Sequence, residues 1–188
     1  MLISELKIKD AFIINSTTYK DERGSFREWF KASEIKAELG RNFNVAQANV
    51  SNSKMGVARG IHYSLNPIGQ EKWVTCVAGS IWDVIVDLRP DSTTFMMWEG
   101  VFLNGSNSQS VLIGNGLGHA FLSLENNSVV SYLTTSEYSP NDEREIDLFD
   151  NDIGISWTSP VTSVSIKDSE AETLRQKLAK SDLPFSSS

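Results

Sequence analysis

The chain has 188 residues, of which 40% are hydrophobic and 22% charged, and its formal net charge is −7 at pH 7. These values are ordinary for a globular protein, and we predict one domain over residues 1–188 with a sizeable core. The acidic balance argues against a nucleic-acid partner, because a duplex-binding surface needs a basic stripe. It does not exclude an anionic small molecule, since a few arginines that converge in one cavity can hold a diphosphate.

The same composition argues against a membrane or secreted protein. No apolar run approaches the roughly 20 residues that a membrane-spanning helix needs. The start, MLISELKIKD, lacks a basic segment followed by an apolar run, so we do not expect a signal peptide. A single cysteine, Cys76, cannot form an internal disulfide. We therefore expect a cytoplasmic protein with no membrane partner, in which Cys76 is a buried structural thiol rather than a nucleophile.

Short runs rich in Val, Ile, Phe, Trp and Thr dominate the chain, and turn residues separate them, which indicates β-strands. In chain order these runs are FREWF, FNVAQANVS, EKWVTCVAG, SIWDVIVDLR, MWEGVFL, QSVLI, GHAFLSL, SVVSYLTT and VTSVSI. Gly79-Ser80 and Asn126-Asn127 indicate hairpin turns. Many short strands with few helices predict an all-β fold, an antiparallel sandwich or barrel.

Two segments predict helices instead. They are residues 32–39, which Gly40 closes, and roughly residues 169–179. We expect residues 182–188, DLPFSSS, to form a loose tail.

The run FNVAQANVS alternates in an unusual way. Gln47, Asn49 and Ser51 fall on one face of the strand, and the opposite face carries small or apolar side chains. A mostly polar face is either solvated or lines a wet cavity, and the alternation alone leaves both interpretations open.

The chain has only two histidines, His62 in VARGIHY and His119 in GNGLGHAF. Either could be a half-buried structural residue. If Asn126-Asn127 is a two-residue turn, His119 faces Thr134 and becomes a diagonal neighbour of Tyr132, about 7–8 Å away on the same sheet face. An imidazole and a phenol would then point into one cavity, although a slip of one residue in the register would separate them.

The sequence gives little support for a metal site or for a phosphate-binding or dinucleotide-binding loop. No H-x-H pair occurs, and two histidines cannot supply the three that many metal-binding cupins use. A histidine pair with carboxylates could still bind iron or zinc. No phosphate-binding loop or dinucleotide fingerprint is present.

Several separate motifs together resemble the dTDP-4-dehydrorhamnose 3,5-epimerase family. In chain order they are DERGSFRE (21–28), QANVS (47–51), RGIHY (59–63), GQEK (69–72), DVIVDLR (83–89), GHAF (118–121), Tyr132, YSP (138–140) and Lys167-Asp168. The resemblance runs from about Asp10 to Asp168. It implies a cupin-like antiparallel jelly-roll barrel with a few short helices, a homodimer that uses no metal and no other cofactor, and a dTDP-linked 4-keto-6-deoxyhexose as substrate.

The resemblance also implies roles for individual residues. His62 would be the general base with Asp168 as its partner, Tyr132 the general acid on the opposite sugar face, and Lys72 a cation near the ketone oxygen. Residues that would bind the nucleotide and sugar are Arg23, Phe26, Glu28, Gln47, Asn49, Arg59, His119 and Tyr138.

Each residue also has a structural interpretation that spacing alone does not exclude. Lys72 could be a surface lysine beside Glu71, and Asp168 could simply cap the last helix. Arg23 could pair with a neighbouring acid across a turn, and both tyrosines could be core residues. Strict alternation places Arg59 and His62 on opposite strand faces, so the family pattern requires a departure such as a bulge at Gly60.

We therefore expect an epimerase that inverts C3 and C5 of dTDP-4-dehydro-6-deoxy-D-glucose to give dTDP-4-dehydro-L-rhamnose, by removing protons next to the C4 ketone. An alternative is a C3-only epimerase of a related sugar, because the chain departs from the family pattern at Ser64, Leu117 and around Leu148. A metal-dependent cupin enzyme and a non-catalytic carbohydrate-binding barrel are further alternatives.

Overall fold

A computed structural model describes residues 1–67 and 69–185. Within them lie thirteen strands and three helices. In chain order these are β1 (Leu2–Glu5), β2 (Ala11–Asn15), β3 (Thr18–Asp21), β4 (Gly24–Arg27), α1 (Ala32–Leu39), β5 (Gln47–Ser53), β6 (Ala58–Ser64), β7 (Lys72–Ala78), β8 (Ser80–Asp87), β9 (Trp98–Asn104), β10 (Gln109–Ile113), β11 (Leu117–Ser123), β12 (Ser128–Thr134), β13 (Glu143–Glu145), α2 (Ile166–Ser169) and α3 (Leu174–Ala179).

Two antiparallel sheets form the body of the protein. One has six strands in the order β1-β2-β10-β7-β12-β5, and the other has five in the order β13-β6-β11-β8-β9. A third, two-stranded sheet is the hairpin β3–β4. This architecture confirms the predicted cupin-like antiparallel jelly roll with a few short helices.

The core fills the space between the two large sheets. Val74 and Val130 of the six-stranded sheet pack there with Ile81, Ile85 and Phe121 of the five-stranded sheet. A second cluster, which includes Trp73 and Leu133, is covered by Ile35 of α1 and by Phe43. Strand alternation thus buries both faces of the central strands and leaves room for a cavity only where polar side chains turn inward.

Both predicted hairpins are wrong. Gly79 joins β7 to β8, and Asn126-Asn127 joins β11 to β12, but each turn connects strands of opposite sheets. Strand β11 pairs with β6 and β8, whereas β12 pairs with β5 and β7. The predicted register between His119 and Thr134 therefore does not exist. Turn residues reverse the chain, but they do not decide which strands pair, and a jelly roll passes the chain from one sheet to the other.

Most of the predicted strands are present, with two exceptions. The run FREWF is a strand only as far as Arg27, and VTSVSI forms no named strand in the described residues, only a single bridge between Ser163 and Val57. The sequence interpretation missed β1, β2, β3 and β13, and it treated β6 as a strand without giving its bounds.

The first predicted helix is confirmed at its stated bounds. Gly40 ends α1 with φ of 70°, and its amide donates to the Lys36 carbonyl. The second predicted helix is two short helices instead. Ser165 caps α2 by accepting from the Asp168 amide, so Asp168 lies inside α2 and the N-cap interpretation of that residue is wrong. Among the described helices, none is long and apolar enough to cross a membrane.

The segment after α3 is packed where a loose tail was expected. Asp182 accepts hydrogen bonds from Arg144 and Lys177, and its carbonyl accepts from the Tyr63 hydroxyl. Leu183 is buried. The prediction is therefore wrong for this part of the tail, because burial of Leu183 and two ion pairs hold it, and residues 186–188 lie outside the described residues.

Candidate active site

A cavity of about 320 Å³ is lined by residues of both large sheets and of α2. Seven of the predicted site residues line it: Asn49, Arg59, His62, Lys72, Tyr132, Tyr138 and Asp168. The other lining residues are Gln70, Thr134, Glu143, Arg144, Ser165 and Lys167. The cavity thus brings together side chains that lie more than a hundred residues apart in the chain.

His62 and Asp168 form a bonded pair in this cavity. The distance between His62 Nε2 and Asp168 Oδ1 is 2.7 Å. Burial works to raise the pKa of Asp168, but the hydrogen bond and charge of His62 and the bonds from Ser165 and Gly60 outweigh it and lower that pKa. The carboxylate is therefore ionised at neutral pH and can orient the ring and stabilise its protonated form.

A bulge in β6 brings Arg59 and His62 to the same cavity. His119 pairs with His62, and Phe121 pairs with Arg59, so β11 advances two residues where β6 advances three. Gly60 lies in the bulge with φ of 126°, a conformation that side chains disfavour. The departure from alternation that the family pattern requires is therefore present.

Lys72 is buried at the start of β7 and is not a surface lysine. Its side chain and main chain together are 8% exposed, and Nζ donates to the His62 carbonyl over 3.4 Å. Burial lowers the pKa of Lys72, and the nearby charges of Glu143 and Asp83 work against that shift. A cation held in a low-dielectric pocket acts strongly on any negative charge that develops beside it.

Tyr132 lies in the middle of β12, between β5 and β7. Its register partners are Asn49 on one side and Val74 on the other. Burial raises the pKa of Tyr132, and the charge of Glu143 raises it further, whereas Arg59 lowers it. The phenol therefore stays protonated at neutral pH and can donate a proton.

The polar face of β5 turns inward. Gln47, Asn49 and Ser51 are half-buried, whereas Ala48 and Val50 are exposed. Gln47 Nε2 donates to Asn49 Oδ1 over 2.8 Å, and Gln47 Oε1 accepts from the Tyr138 amide over 2.8 Å. Of the two interpretations of this strand, the wet cavity is correct, and Gln47 acts beside the cavity as a support for Asn49 and Tyr138.

His119 does not line the cavity. It is 9% exposed, and its Nε2 lies 2.8 Å from Asp83 Oδ2. The Asp83 carboxylate also acts on the pKa of Lys72. The predicted substrate-binding residue His119 is therefore one layer removed from the cavity surface, bonded to a carboxylate whose charge acts on Lys72.

The structure does not bring Arg23, Phe26 and Glu28 to the cavity of their own chain. Arg23 and Phe26 belong to the hairpin β3–β4, where Phe26 is 65% exposed and the Arg23 guanidinium bonds to Asp21. Glu28 follows β4 and pairs with Lys31. The hairpin is fixed to the barrel by Thr18, which bonds to Ser108, and by Arg27, which donates to Thr75.

Six lining residues escaped the sequence interpretation as site residues. Thr134 could have been found, because it lies two residues after Tyr132 and so shares its strand face. Gln70 and Lys167 stood inside the motifs GQEK and Lys167-Asp168 but had no assigned role. Glu143, Arg144 and Ser165 carried no sequence signal, because only the pairing of β13 with β6 and the position of α2 bring them to the cavity.

No group of three or more His, Cys, Asp or Glu side chains is placed to hold a metal ion among residues 1–67 and 69–185. The imidazoles are bonded to one carboxylate each, His62 to Asp168 and His119 to Asp83.

The fold and the cavity together define a cupin-like enzyme, in which an imidazole–carboxylate pair, a phenol and a buried ammonium group line one cavity. Comparisons with known proteins agree. The chain matches the dTDP-4-dehydrorhamnose 3,5-epimerase family over residues 5–176. It is 40% identical to a dTDP-4-dehydrorhamnose 3,5-epimerase of Mycolicibacterium smegmatis, over 98% of this chain and 91% of that protein.

Solved structures show the same relationship. The RmlC epimerase of Mycobacterium tuberculosis superimposes with a TM-score of 0.96 at 37% identity, covering 98% of this chain and 94% of that one. ChmJ, a 3'-monoepimerase of Streptomyces bikiniensis solved with dTDP-quinovose, gives a TM-score of 0.92 at 38% identity, covering 96% and 91%. The chain belongs to the dTDP-4-dehydrorhamnose 3,5-epimerase family, and the prediction of an epimerase is confirmed.

Proposed function

We propose that the chain inverts C3 and C5 of dTDP-4-dehydro-6-deoxy-D-glucose to give dTDP-4-dehydro-L-rhamnose. The observation that carries this proposal is one cavity lined by the His62–Asp168 pair, by Tyr132 and by Lys72. Membership of the epimerase family supports the substrate class, since a solved relative holds a dTDP-linked sugar.

The first step is removal of a proton next to the C4 ketone. Imidazole suits this step, because its unperturbed pKa lies near 6.5 and it exchanges protons readily at neutral pH. Asp168 engages Nε2 of His62, so Nδ1 is the ring atom that takes the substrate proton. An enolate forms as the C–H bond breaks, and its electron pair moves to the C4 oxygen.

A base alone is insufficient, because ketone α-protons are far weaker acids than an imidazolium ion. Each unit of pKa mismatch costs about 1.4 kcal/mol. The ammonium group of Lys72 beside the C4 oxygen offsets part of this mismatch, an electrostatic contribution of a few kcal/mol for one well-placed donor. The buried position of Lys72 strengthens that contribution.

Inversion then requires a proton from the other face of the sugar. Tyr132 supplies it, since its phenol is kept protonated by burial and by Glu143. The proton passes from the Tyr132 hydroxyl to carbon, and the enolate electron pair forms the new C–H bond. The imidazolium then releases its proton to water and the phenolate regains one from water, so that the same pair of groups can act at C3 and C5 in turn.

Cations at the cavity suit the diphosphate of the substrate. Arg59, Arg144 and Lys167 line the cavity besides Lys72. Arg59 is the best placed of these for a ligand, because its guanidinium contacts neutral oxygens, Ser53 Oγ at 3.2 Å and the Asn52 carbonyl at 3.5 Å. Arg144 and Lys167 are each paired with a carboxylate instead. An arginine at position 59 can bind a phosphate with two parallel hydrogen bonds.

The C3-only reaction is the second candidate, because a 3'-monoepimerase is as similar in sequence as the other solved relative named above. Purified enzyme with dTDP-4-keto-6-deoxyglucose in heavy water separates the candidates by NMR. Deuterium at both C3 and C5 supports the proposal, and deuterium at C3 alone indicates the mono-epimerase. Binding without any exchange would indicate a carbohydrate-binding barrel, and loss of activity to a chelator would indicate a metal enzyme. His62→Ala is the matched control and should abolish exchange.

We further propose that the enzyme is a homodimer in which the β3–β4 hairpin reaches the partner's cavity. The exposed Tyr19 and Phe26 on this hairpin and the exposed Val50 on β5 leave an apolar surface that a second copy would cover. This arrangement would bring Arg23, Phe26 and Glu28 to a bound nucleotide.

The buried free thiol of Cys76 supports a reducing compartment, which we propose is the cytoplasm.

Mixed dimers test the hairpin. Arg23→Ala and His62→Ala are each expected to be poorly active, but co-expression places an intact hairpin and an intact base at one shared site. With random pairing, roughly a quarter of wild-type activity should return, because half the dimers are mixed and each has one complete site. No recovery would show that the hairpin does not act across the dimer.

A further inference from the structure

Gln70 is a buried amide at the cavity that the proposed chemistry leaves without a role. It lies two residues before β7 and is 9% exposed. Its Nε2 donates to Ser136 Oγ over 3.1 Å and to Glu143 Oε1 over 3.0 Å. A buried amide nitrogen has two protons to donate, and in Gln70 both are directed at a single neighbouring segment.

That segment consists of the loop of residues 135–142, which joins β12 to β13 and carries Tyr138, together with Glu143, the first residue of β13. Ser136 stands near its start, and Glu143 follows its end. Gln70 therefore bridges the two ends of the loop. The next residue strengthens the link, because the Glu71 amide donates to Thr135 Oγ1 and the Glu71 carbonyl accepts from the Thr135 amide.

The second acceptor, Glu143, carries the charge that acts on both Lys72 and Tyr132. Its carboxylate raises the pKa of each group. A nearby negative charge favours an ammonium ion and disfavours a phenolate. Both effects favour the protonated forms that the epimerisation uses, and for Lys72 the charge opposes the larger, downward effect of burial on its pKa.

Other charged groups also face this pair, so the effect of Glu143 has to be separated from theirs. Asp83 acts on Lys72, and Arg59 acts on Tyr132 in the opposite sense to Glu143. The remaining charged or titratable groups at the cavity are His62 of β6, Arg144 of β13, Lys167 and Asp168 of α2, and Tyr138 of the loop before β13, and behind them lies His119 of β11, which is bonded to Asp83. Of all these, Glu143 is the group bonded to Gln70.

We propose that Gln70 is a positioning residue, which holds the Glu143 carboxylate beside Lys72 and Tyr132 and thereby fixes their charge states. The inference rests on the proposed roles of Lys72 and Tyr132. Without the amide donor, the carboxylate turns towards water, the ammonium ion loses a neighbouring negative charge, and the phenol ionises more readily. Both changes reduce activity first at alkaline pH.

The test is the pH profile of kcat in two variants. Gln70→Met keeps the size of the side chain but removes the donor, and Gln70→Asn keeps an amide that is too short to reach Glu143. We expect kcat at neutral pH to fall roughly tenfold, the effect of losing one hydrogen bond to a charged group. The alkaline limb of the profile should move to lower pH by about one unit, and the acid limb should not move.

Two further variants separate positioning from a structural role. Ser136→Ala removes the other bond of Gln70, lies outside the cavity lining, and should leave the alkaline limb in place. Glu143→Gln should move the limb as Gln70→Met does. The double variant should move it no further than Glu143→Gln alone, because the two residues act through one interaction.

Three outcomes would overturn the inference. They are an unmoved alkaline limb in a folded Gln70 variant, additive shifts in the double variant, and failure of both Gln70 variants to fold, which would make the residue structural. Each is distinguishable from failure of the proposed function, because turnover of the keto sugar by the wild-type enzyme is measured independently.

Discussion

His62 and Asp168 lie 106 positions apart in the chain, yet His62 Nε2 is 2.7 Å from Asp168 Oδ1. The two side chains differ in exposure, since the imidazole is 38% exposed and the carboxylate 3%. The carboxylate is therefore covered by protein, whereas the ring can reach a ligand. Helix α2 sets this geometry, because Ser165 caps it and so fixes the Asp168 amide.

We predict that Asp168→Asn lowers kcat by about 10²–10⁴-fold, the range over which a positioned acid–base group contributes. The amide keeps the shape of the carboxylate but not its charge, so it no longer stabilises the protonated ring. Steady-state kinetics with the keto sugar measures the effect. Asp152→Asn is the matched control, because Asp152 pairs with the exposed Arg175 away from the cavity. Equal losses in both variants would contradict the role of Asp168.

We predict that Tyr132→Phe separates proton removal from inversion. His62 can still remove a substrate proton and return a deuteron to the same face, so isotope exchange in heavy water should continue. The inverted product should decrease by at least about 100-fold, because no acid remains on the opposite face. NMR measures both quantities in one reaction.

Tyr63→Phe controls for loss of a buried tyrosine hydroxyl. Tyr63 donates to the Asp182 carbonyl and lies outside the cavity lining, so this variant should lose about 1 kcal/mol of stability and keep its product ratio. A normal yield of inverted product from Tyr132→Phe would show that another group is the acid.

We predict that Gly60→Ala destabilises the protein by more than Gly24→Ala. Both glycines have φ of 126°, so both substitutions introduce backbone strain of about 1–3 kcal/mol. A Cβ at Gly60 would lie 2.5 Å from the Ala120 Cβ, whereas a Cβ at Gly24 meets nothing within 4 Å. The clash should add about 1–3 kcal/mol to the Gly60 variant alone. Urea unfolding measures both, and equal losses would show that the bulge has room for a side chain.

We predict that Asp182 anchors the segment after α3 in a pH-dependent way. Burial works to raise its pKa, but the bonds from Lys177 and Arg144 outweigh burial and lower that pKa. A lowered pKa stabilises the folded state above the ordinary aspartate value near 3.9, and this stabilisation disappears as pH falls through the folded-state value.

Asp182→Asn should therefore lose about 1–3 kcal/mol at pH 7, the value of hydrogen bonds to a charged group. The difference between wild type and variant should shrink below about pH 4. Urea unfolding at pH 7 and at acid pH measures it. A difference that stays constant down to the acid limit of folding would show that the ionised carboxylate is not the cause.

Short sequence patterns predicted much of the fold. The alternation in FNVAQANVS predicted the polar strand face that carries Asn49, and Gly40 predicted the end of α1. Both predictions were possible because side-chain alternation and backbone conformation depend on a few adjacent residues. The motifs around His62, Lys72 and Tyr132 indicated the chemistry that the family comparison confirmed at the level of an epimerase.

The pairing of strands that are distant in the chain could not be predicted from short stretches of sequence. Whether β11 pairs with β12 depends on which arrangement buries the most apolar surface between two whole sheets, and the turn at Asn126-Asn127 is compatible with either. Because β11 and β12 belong to different sheets, His119 bonds to Asp83 of its own sheet, and Tyr132 lies in the other sheet.

The sequence by itself determined the chemical groups and, for β5, the strand face that presents them, because residue identity and alternation are local. Only the tertiary structure decided that Gln70, Glu143 and Lys167 join the cavity and that Arg23 and Phe26 stand away from it. Those positions depend on packing between segments that are distant in the chain. No short pattern of residues reports the free energy of that packing.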